Sequence, residues 1–265
     1  MNVSLKKITV GVLMSLGLAA AHTPVLAADA KSPYTLSANI GLTSDYLFRG
    51  VSQTQRKPAI QGGFDLAHES GFYVGVWGSN VDWVSAQPLE VRLKESNSME
   101  IDLYGGYKGS ITDDLGFDVG VITYYYPGDK TEAAKASGLT PDTTEIYAGL
   151  SYGIFTAKVN YVVSDYFVGW TTDGGGKTRG SYYLDLSATH DLGDGWGVLA
   201  HVGHQYVKDN DPASYTDWKL GVTKDIGFGV VTLAYSDTNA DKAAYTWNGK
   251  NVADGRVLLS FAKTF

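Results

Sequence analysis

The chain has no cysteine, so in an oxidising compartment disulfides cannot stabilise it. Prolines are few, seven in 265 residues. Past the N-terminal leader no run of eighteen apolar residues occurs, so no later segment can cross a bilayer as a helix. Basic residues are also in deficit. Residues 1–27 hold Lys6 and Lys7 and no acid, and without them 19 basic side chains face 28 acidic ones, a charge of −9. That balance argues against nucleic acid as a partner, because polyanions reward basic patches.

The leader itself is informative. Lys6 and Lys7 precede an apolar stretch, residues 8–21, and Val25-Leu26-Ala27 offers a small-residue cleavage site. The stretch is too short for a membrane anchor. The expectation is a signal peptide, residues 1–27, cut after Ala27, and a single exported domain, residues 28–265.

What the chain has in quantity is glycine and tyrosine, 32 and 18 residues, which suits short turns and two-faced strands. Tyr34, Leu36, Ala38, Ile40 and Leu42 share one parity and Thr35, Ser37, Asn39 and Thr43 the other, a pattern that continues to Tyr46 and Phe48 against Asp45 and Arg49. Met99, Ile101, Leu103 and Tyr107 oppose Glu100, Asp102, Tyr104 and Lys108. Phe117, Val119 and Val121 oppose Asp118. The pattern recurs twelve times, and the connections alternate between long and short with both chain ends on the short-turn side. This predicts an all-β transmembrane antiparallel barrel of about twelve strands in an up-and-down meander. Tyr46, Phe48, Tyr125, Tyr152, Phe155, Trp196 and Trp218 fall near apolar-face strand ends, where interfacial girdles belong.

Alternation does not say which face is wet. A soluble sandwich would bury Ile101, Leu103 and Val121 and expose Asp102 and Asp118, whereas a membrane barrel reverses this. The strict alternation of turn lengths, the export signal and the ending favour the membrane. In that ending Val257, Leu259, Phe261 and Phe265 face one way and Arg256, Ser260 and Thr264 the other, and the chain stops on Phe265. Such a terminus resembles the signal engaged by the outer-membrane assembly machinery of Gram-negative bacteria. Lys263 departs from it, on the apolar face, where its stem could snorkel to the interface.

Two stretches, Ser44-Asp45-Tyr46-Leu47-Phe48-Arg49-Gly50-Val51-Ser52-Gln53 and Gly71-Phe72-Tyr73-Val74-Gly75-Val76-Trp77-Gly78-Ser79-Asn80, resemble the TorF-type porin family of bacterial outer membranes. Glu100-Ile101-Asp102-Leu103-Tyr104 and Tyr124-Tyr125-Tyr126-Pro127 fit it too. The resemblance spans most of the exported chain. It implies an outer-membrane barrel of porin type, with no substrate or functional residue to carry over.

If the apolar face meets lipid, the polar face lines a bore. Its expected lining is Asp65, Glu100, Asp102, Asp118, Glu145, Asp185 and Asp217, with Lys158, Lys219 and Arg256 as bases, an acidic lumen that favours cations. Asp45 and Arg49, on one face at the mouth of the first strand, are expected as a constriction or as a partly exposed ion pair. A helix-like scrap, residues 132–136, sits in a long loop.

Other chemistry reads poorly. Gly174-Gly175-Gly176-Lys177-Thr178 imitates a phosphate loop, but Thr171 replaces the first glycine and a strand follows. Asp237, Asn239 and Asp241 imitate a calcium loop, but Lys242 and Asn248 replace its glycine and glutamate. His201 and His204 fall on opposite faces, so no metal and no cofactor are expected. Ser187 and His201, on the polar face of neighbouring strands, are the nearest approach to a hydrolase pair, without a nucleophile motif.

The leading expectation is therefore not an enzyme but a channel in the Gram-negative outer membrane through which small polar solutes diffuse passively. Its partners would be outer-membrane lipid, lipopolysaccharide and, through Phe265, the assembly machinery. The alternative is a closed barrel whose loops, residues 82–97 and 236–255, bind a surface or partner.

Overall fold

Twelve alternating segments become twelve strands in the computed structural model, which describes residues 32–86 and 93–265. The expected leader, residues 1–27, lies outside the described residues. The strands are β1 (Tyr34–Thr43), β2 (Ala59–His68), β3 (Phe72–Asn80), β4 (Met99–Ser110), β5 (Leu115–Tyr125), β6 (Thr143–Tyr152), β7 (Phe155–Val162), β8 (Tyr182–Gly193), β9 (Trp196–Tyr206), β10 (Tyr215–Asp225), β11 (Val230–Thr238) and β12 (Arg256–Thr264). Each pairs antiparallel with its sequence neighbours, and β1 closes on β12 with Asn39 opposite Thr264 and Thr43 opposite Ser260. Phe265 continues that seam, its N–H donating to the Ala38 carbonyl at 2.8 Å. A closed barrel leaves no strand edge unpaired.

One end carries short turns. Between β8 and β9, Asp194 and Gly195 both take positive φ, 50° and 75°, the two-residue turn that matches strand twist. The other end carries the long connections. Residues 44–58 contain a two-rung hairpin, Leu47–Phe48 against Val51–Ser52, and residues 239–255 another, Thr246–Trp247 against Lys250–Asn251. The expected helical scrap is a helix, Glu132–Ser137, capped by Thr131 and ended by Gly138 at φ 73°; its Lys135 and Glu132 pair at 2.7 Å and are exposed.

The barrel wall is inside-out. Leu36 is 71% exposed, Leu103 55% and Val257 65%, while Glu100, Asp102 and Glu145 on the opposite face are 0% exposed. Of the expected girdle aromatics, Tyr125, Tyr152, Phe155, Trp196 and Trp218 are exposed on the outside. Lys263 lies 4.6 Å over the Phe265 ring, also on the outer face at a strand end. Tyr46 and Phe48 are corrected: β1 stops at Thr43, Arg49 and Gly50 turn the chain with φ 49° and 81°, and both aromatics are buried. Among the described residues the apolar cluster runs from the bore, through Tyr73, Tyr104, Tyr147 and Trp77, to the long-loop end, where Trp83, Val84, Tyr126, Phe167, Tyr245, Trp247 and Val252 lie over the barrel mouth.

Glycine and tyrosine fit together inside the wall. A Cβ on Gly75 would stand 2.3 Å from the Tyr104 ring, one on Gly120 2.5 Å from the Tyr147 hydroxyl, and one on Gly203 1.9 Å from the Tyr183 hydroxyl. Each ring lies across the bare backbone of an adjacent strand, so the bore is filled without widening the barrel.

Candidate functional site

Most of the first long connection, residues 44–58, is buried, with Ser44 and residues 56–58 left exposed at its ends. It descends into the bore, and Arg49 anchors it. The guanidinium donates to Glu145 on β6 at 2.6 Å and to Gln205 on β9 at 2.6 Å. It also lies 4.7 Å over the Phe48 ring and 4.4 Å over Tyr183. Neither Arg49 nor Glu145 has any exposed side-chain surface. Burial works against the charge of Arg49, and the adjacent Glu145 more than restores it, so the guanidinium stays protonated.

Asp45 does not pair with Arg49. Its Oδ2 accepts from Arg256 on β12 at 2.7 Å and its Oδ1 from Ser52 and Thr54 at 2.6 and 2.9 Å. In place of the expected partly exposed Asp45–Arg49 pair there are two separate sets of bonds, because β1 ends at Thr43 and the chain bends at Ser44 and Asp45, so Asp45 meets β12 while Arg49 meets β6 and β9. Gly50 itself sits where a Cβ would be 2.7 Å from the Asp217 Cβ. Tyr46 donates to Glu100 at 2.6 Å. Beside it Asp102 is 0% exposed, and neither of its oxygens has a hydrogen-bond partner. Among the described residues no group of three His, Asp or Glu is placed to hold a metal ion.

All ten residues expected on the lining lie on the inner face, but they do not share one space. Asp65 and Asp118, toward the short-turn end, accept from Tyr104 and Tyr73, each at 2.6 Å, and Tyr73 also meets Tyr147 hydroxyl to hydroxyl. Glu100, Asp102 and Glu145 are covered by the inserted segment. Asp185, Asp217, Lys158 and Lys219, together with Asp45 and Arg49, line a partly open cavity of about 120 Å³ beneath it. Leu199, on the polar side of its strand, lines the same cavity.

The wall of that cavity holds the Ser187–His201 pair. Ser187 Oγ is 3.1 Å from His201 Nδ1 and donates to Asp185 at 2.7 Å. His201 Nδ1 is 3.2 Å from Asp185, and Nε2 is 3.0 Å from Asp217 and 2.9 Å from the Tyr183 hydroxyl. His204 faces outward and meets Thr216 at 3.0 Å. Gln205, Tyr183, Tyr73, Tyr104 and Tyr147 are the inner residues that sequence reasoning did not single out. The signal for the tyrosines was their abundance together with glycine, and that for Gln205 its parity with His201 on the polar face of β9.

Solved structures share this architecture. The NanC porin superposes with a TM-score of 0.54 at 10% identity over 87% of this chain and 99% of its own. The KdgM porin gives 0.51 at 6% identity over 86% and 99%, and KdgM in complex with disordered oligogalacturonate 0.50 at 5% over 87% and 98%. No curated protein matches the sequence. The family described as bacterial protein of unknown function (Gcw_chp) matches residues 27–265, and the chain belongs to that family.

Proposed function

We propose that the chain is an outer-membrane channel for passive diffusion of small polar solutes, with residues 44–58 as the element that controls passage. The observation that carries this is the contrast within one closed barrel between a lipid-compatible outer belt and a bore lined by charged, hydroxyl and tyrosine side chains. The fold likeness to two porins and the resemblance to TorF-type porins support it. On this reading residues 1–27 are removed on export, the long loops face outward, the belt meets lipid and lipopolysaccharide, and Phe265 serves assembly.

The Ser187–His201 pair is structural in this account. The serine hydroxyl is committed to Asp185, and each ring nitrogen already faces a carboxylate, so none is reserved for a serine proton.

A closed barrel is the second reading, favoured by the complete burial of Arg49 and Glu145. Planar bilayers separate the two. Stepwise currents from the refolded mature chain are expected, and a folded, inserted barrel that stays silent even with Arg49→Ala would leave the closed scaffold.

A further inference from the structure

The charges of the bore are not equally available. By count the inner face is acidic, yet its carboxylates are engaged or out of reach. Glu145 is held by Arg49, and Asp45 by Arg256. Asp65 and Asp118 accept from tyrosines. None of Glu100, Asp102, Glu145, Asp65 or Asp118 borders the cavity.

Of the acids that do border it, Asp185 and Asp217 use all four oxygens, on Ser187, His201 and Tyr183. Two cations remain. Lys158 and Lys219 both line the cavity, and neither has a carboxylate within 4.0 Å or a hydrogen bond among the described residues. The one contact shown for the Lys158 ammonium is the Tyr147 ring, at 3.8 Å from its centre.

Both ammoniums keep accessible surface within the cavity, so their N–H groups are open to an incoming acceptor. Around the two lysines the walls are rich in hydroxyls, from Thr156, Thr189, Thr232, Ser236 and Ser260. The volume of about 120 Å³ is a little below the roughly 150 Å³ that holds a benzene ring. We propose that this cavity is a binding station for a small hydroxylated organic anion, its carboxylate held by Lys158 and Lys219, so that the bore prefers anions although its lining is acidic by count. The binding half of this stands apart from the channel reading; the preference in transport rests on it.

The test uses sodium lactate, with glycerol as an uncharged molecule of equal heavy-atom count, on the full mature chain refolded in detergent. Saturation-transfer NMR is expected to show lactate binding and little glycerol binding. Lys158→Gln and Lys219→Gln should each weaken lactate binding by about tenfold or more, the loss of one charge-assisted bond. Lys158→Arg and Lys219→Arg, which keep the charge, should retain most of it and guard against misfolding of the glutamine variants.

Equal binding of lactate and glycerol, or unchanged lactate binding in both glutamine variants, overturns the proposal. In bilayers a sodium lactate gradient should give a reversal potential on the anion side that moves toward cations in the double glutamine variant. A cation-side potential in the unaltered channel, unmoved by that substitution, overturns the transport half. A silent barrel that still binds lactate keeps the station and removes the channel.

Discussion

The two ends of the bore are filled in different ways. Toward the short turns the filling belongs to the wall: Tyr73, Tyr104 and Tyr147 rise from β3, β4 and β6 and lie over glycines of neighbouring strands. Toward the long loops the filling is a separate segment, residues 44–58, held by bonds from Arg49 and Asp45 to β6, β9 and β12. A side chain rooted in a strand cannot leave without opening the barrel. The segment is joined to the wall by side-chain bonds and to other loops by backbone bonds, the Ser52 N–H to Val252 and the Asp82 N–H to Gln53. These are not part of the barrel ladder, so on the channel reading the long-loop end is where the path would open.

The largest effect should follow from breaking the Arg49–Glu145 bond. Both partners are wholly buried, and removing one leaves an uncompensated charge, a cost of about 3–5 kcal/mol. Arg49→Ala should lower stability by that order in guanidinium titrations of the refolded barrel and raise single-channel conductance. Arg49→Ala/Glu145→Ala should cost clearly less than the two single changes added together, because no lone charge remains. If the single change leaves both conductance and stability untouched, the segment is not held as described.

The outer belt gives the next effect and tests the orientation of the whole wall. Val121, mid-strand on β5 and 44% exposed, faces hydrocarbon in this account. Val121→Arg should cost about 2–4 kcal/mol for folding into vesicles, whereas on a soluble surface the change would be nearly neutral. A neutral result would remove the membrane reading together with the transport proposal.

A smaller effect should separate wall from segment. Gly75→Ala on β3, toward the short turns, places a methyl 2.3 Å from the Tyr104 ring and should cost about 1–3 kcal/mol by overpacking. Gly149→Ala on β6, whose nearest neighbour would be an ordinary 3.5 Å away, should show no such overpacking cost. Equal losses at both positions would mean that the tyrosine rings yield freely and that the short-turn end is no firmer than the long-loop end.

These contrasts also mark how far sequence carries. Glu100 and Asp102 against Ile101 and Leu103 are legible because side-chain direction alternates along a strand whatever surrounds it, and with it came the strand number and the turn lengths. The descent of residues 44–58 was not legible. Tyr46 and Phe48 keep the parity of β1, so they read as its continuation, yet the strand stops at Thr43, the chain bends at Ser44 and Asp45, and Arg49 and Gly50 then turn it with positive φ. The partners of Arg49 lie 96 and 156 residues away, beyond any local periodicity. The availability of each lumenal charge was hidden for the same reason, since pairing depends on which strands close the ring.

The smallest effect is expected in the long connection between β7 and β8, outside the bore. Asp165 there meets Lys177 at 2.8 Å and Arg179 at 2.9 Å, all three well exposed. Hydrogen bonds from Lys177 and then Arg179 hold its carboxyl below the usual range. A depressed value in the folded state means that the pair stabilises above the unfolded pKa, about 3.9, and that this contribution fades as pH falls through the folded value. Water and salt screen such exposed pairs. Asp165→Asn should therefore leave unfolding midpoints at pH 7 unchanged within error, in low or high salt, and alter only the acid limb below about pH 4. A clear loss at neutral pH would show that this exposed corner is coupled to the packed part of the same connection, where the Phe167 ring lies 5.5 Å from the Arg49 guanidinium.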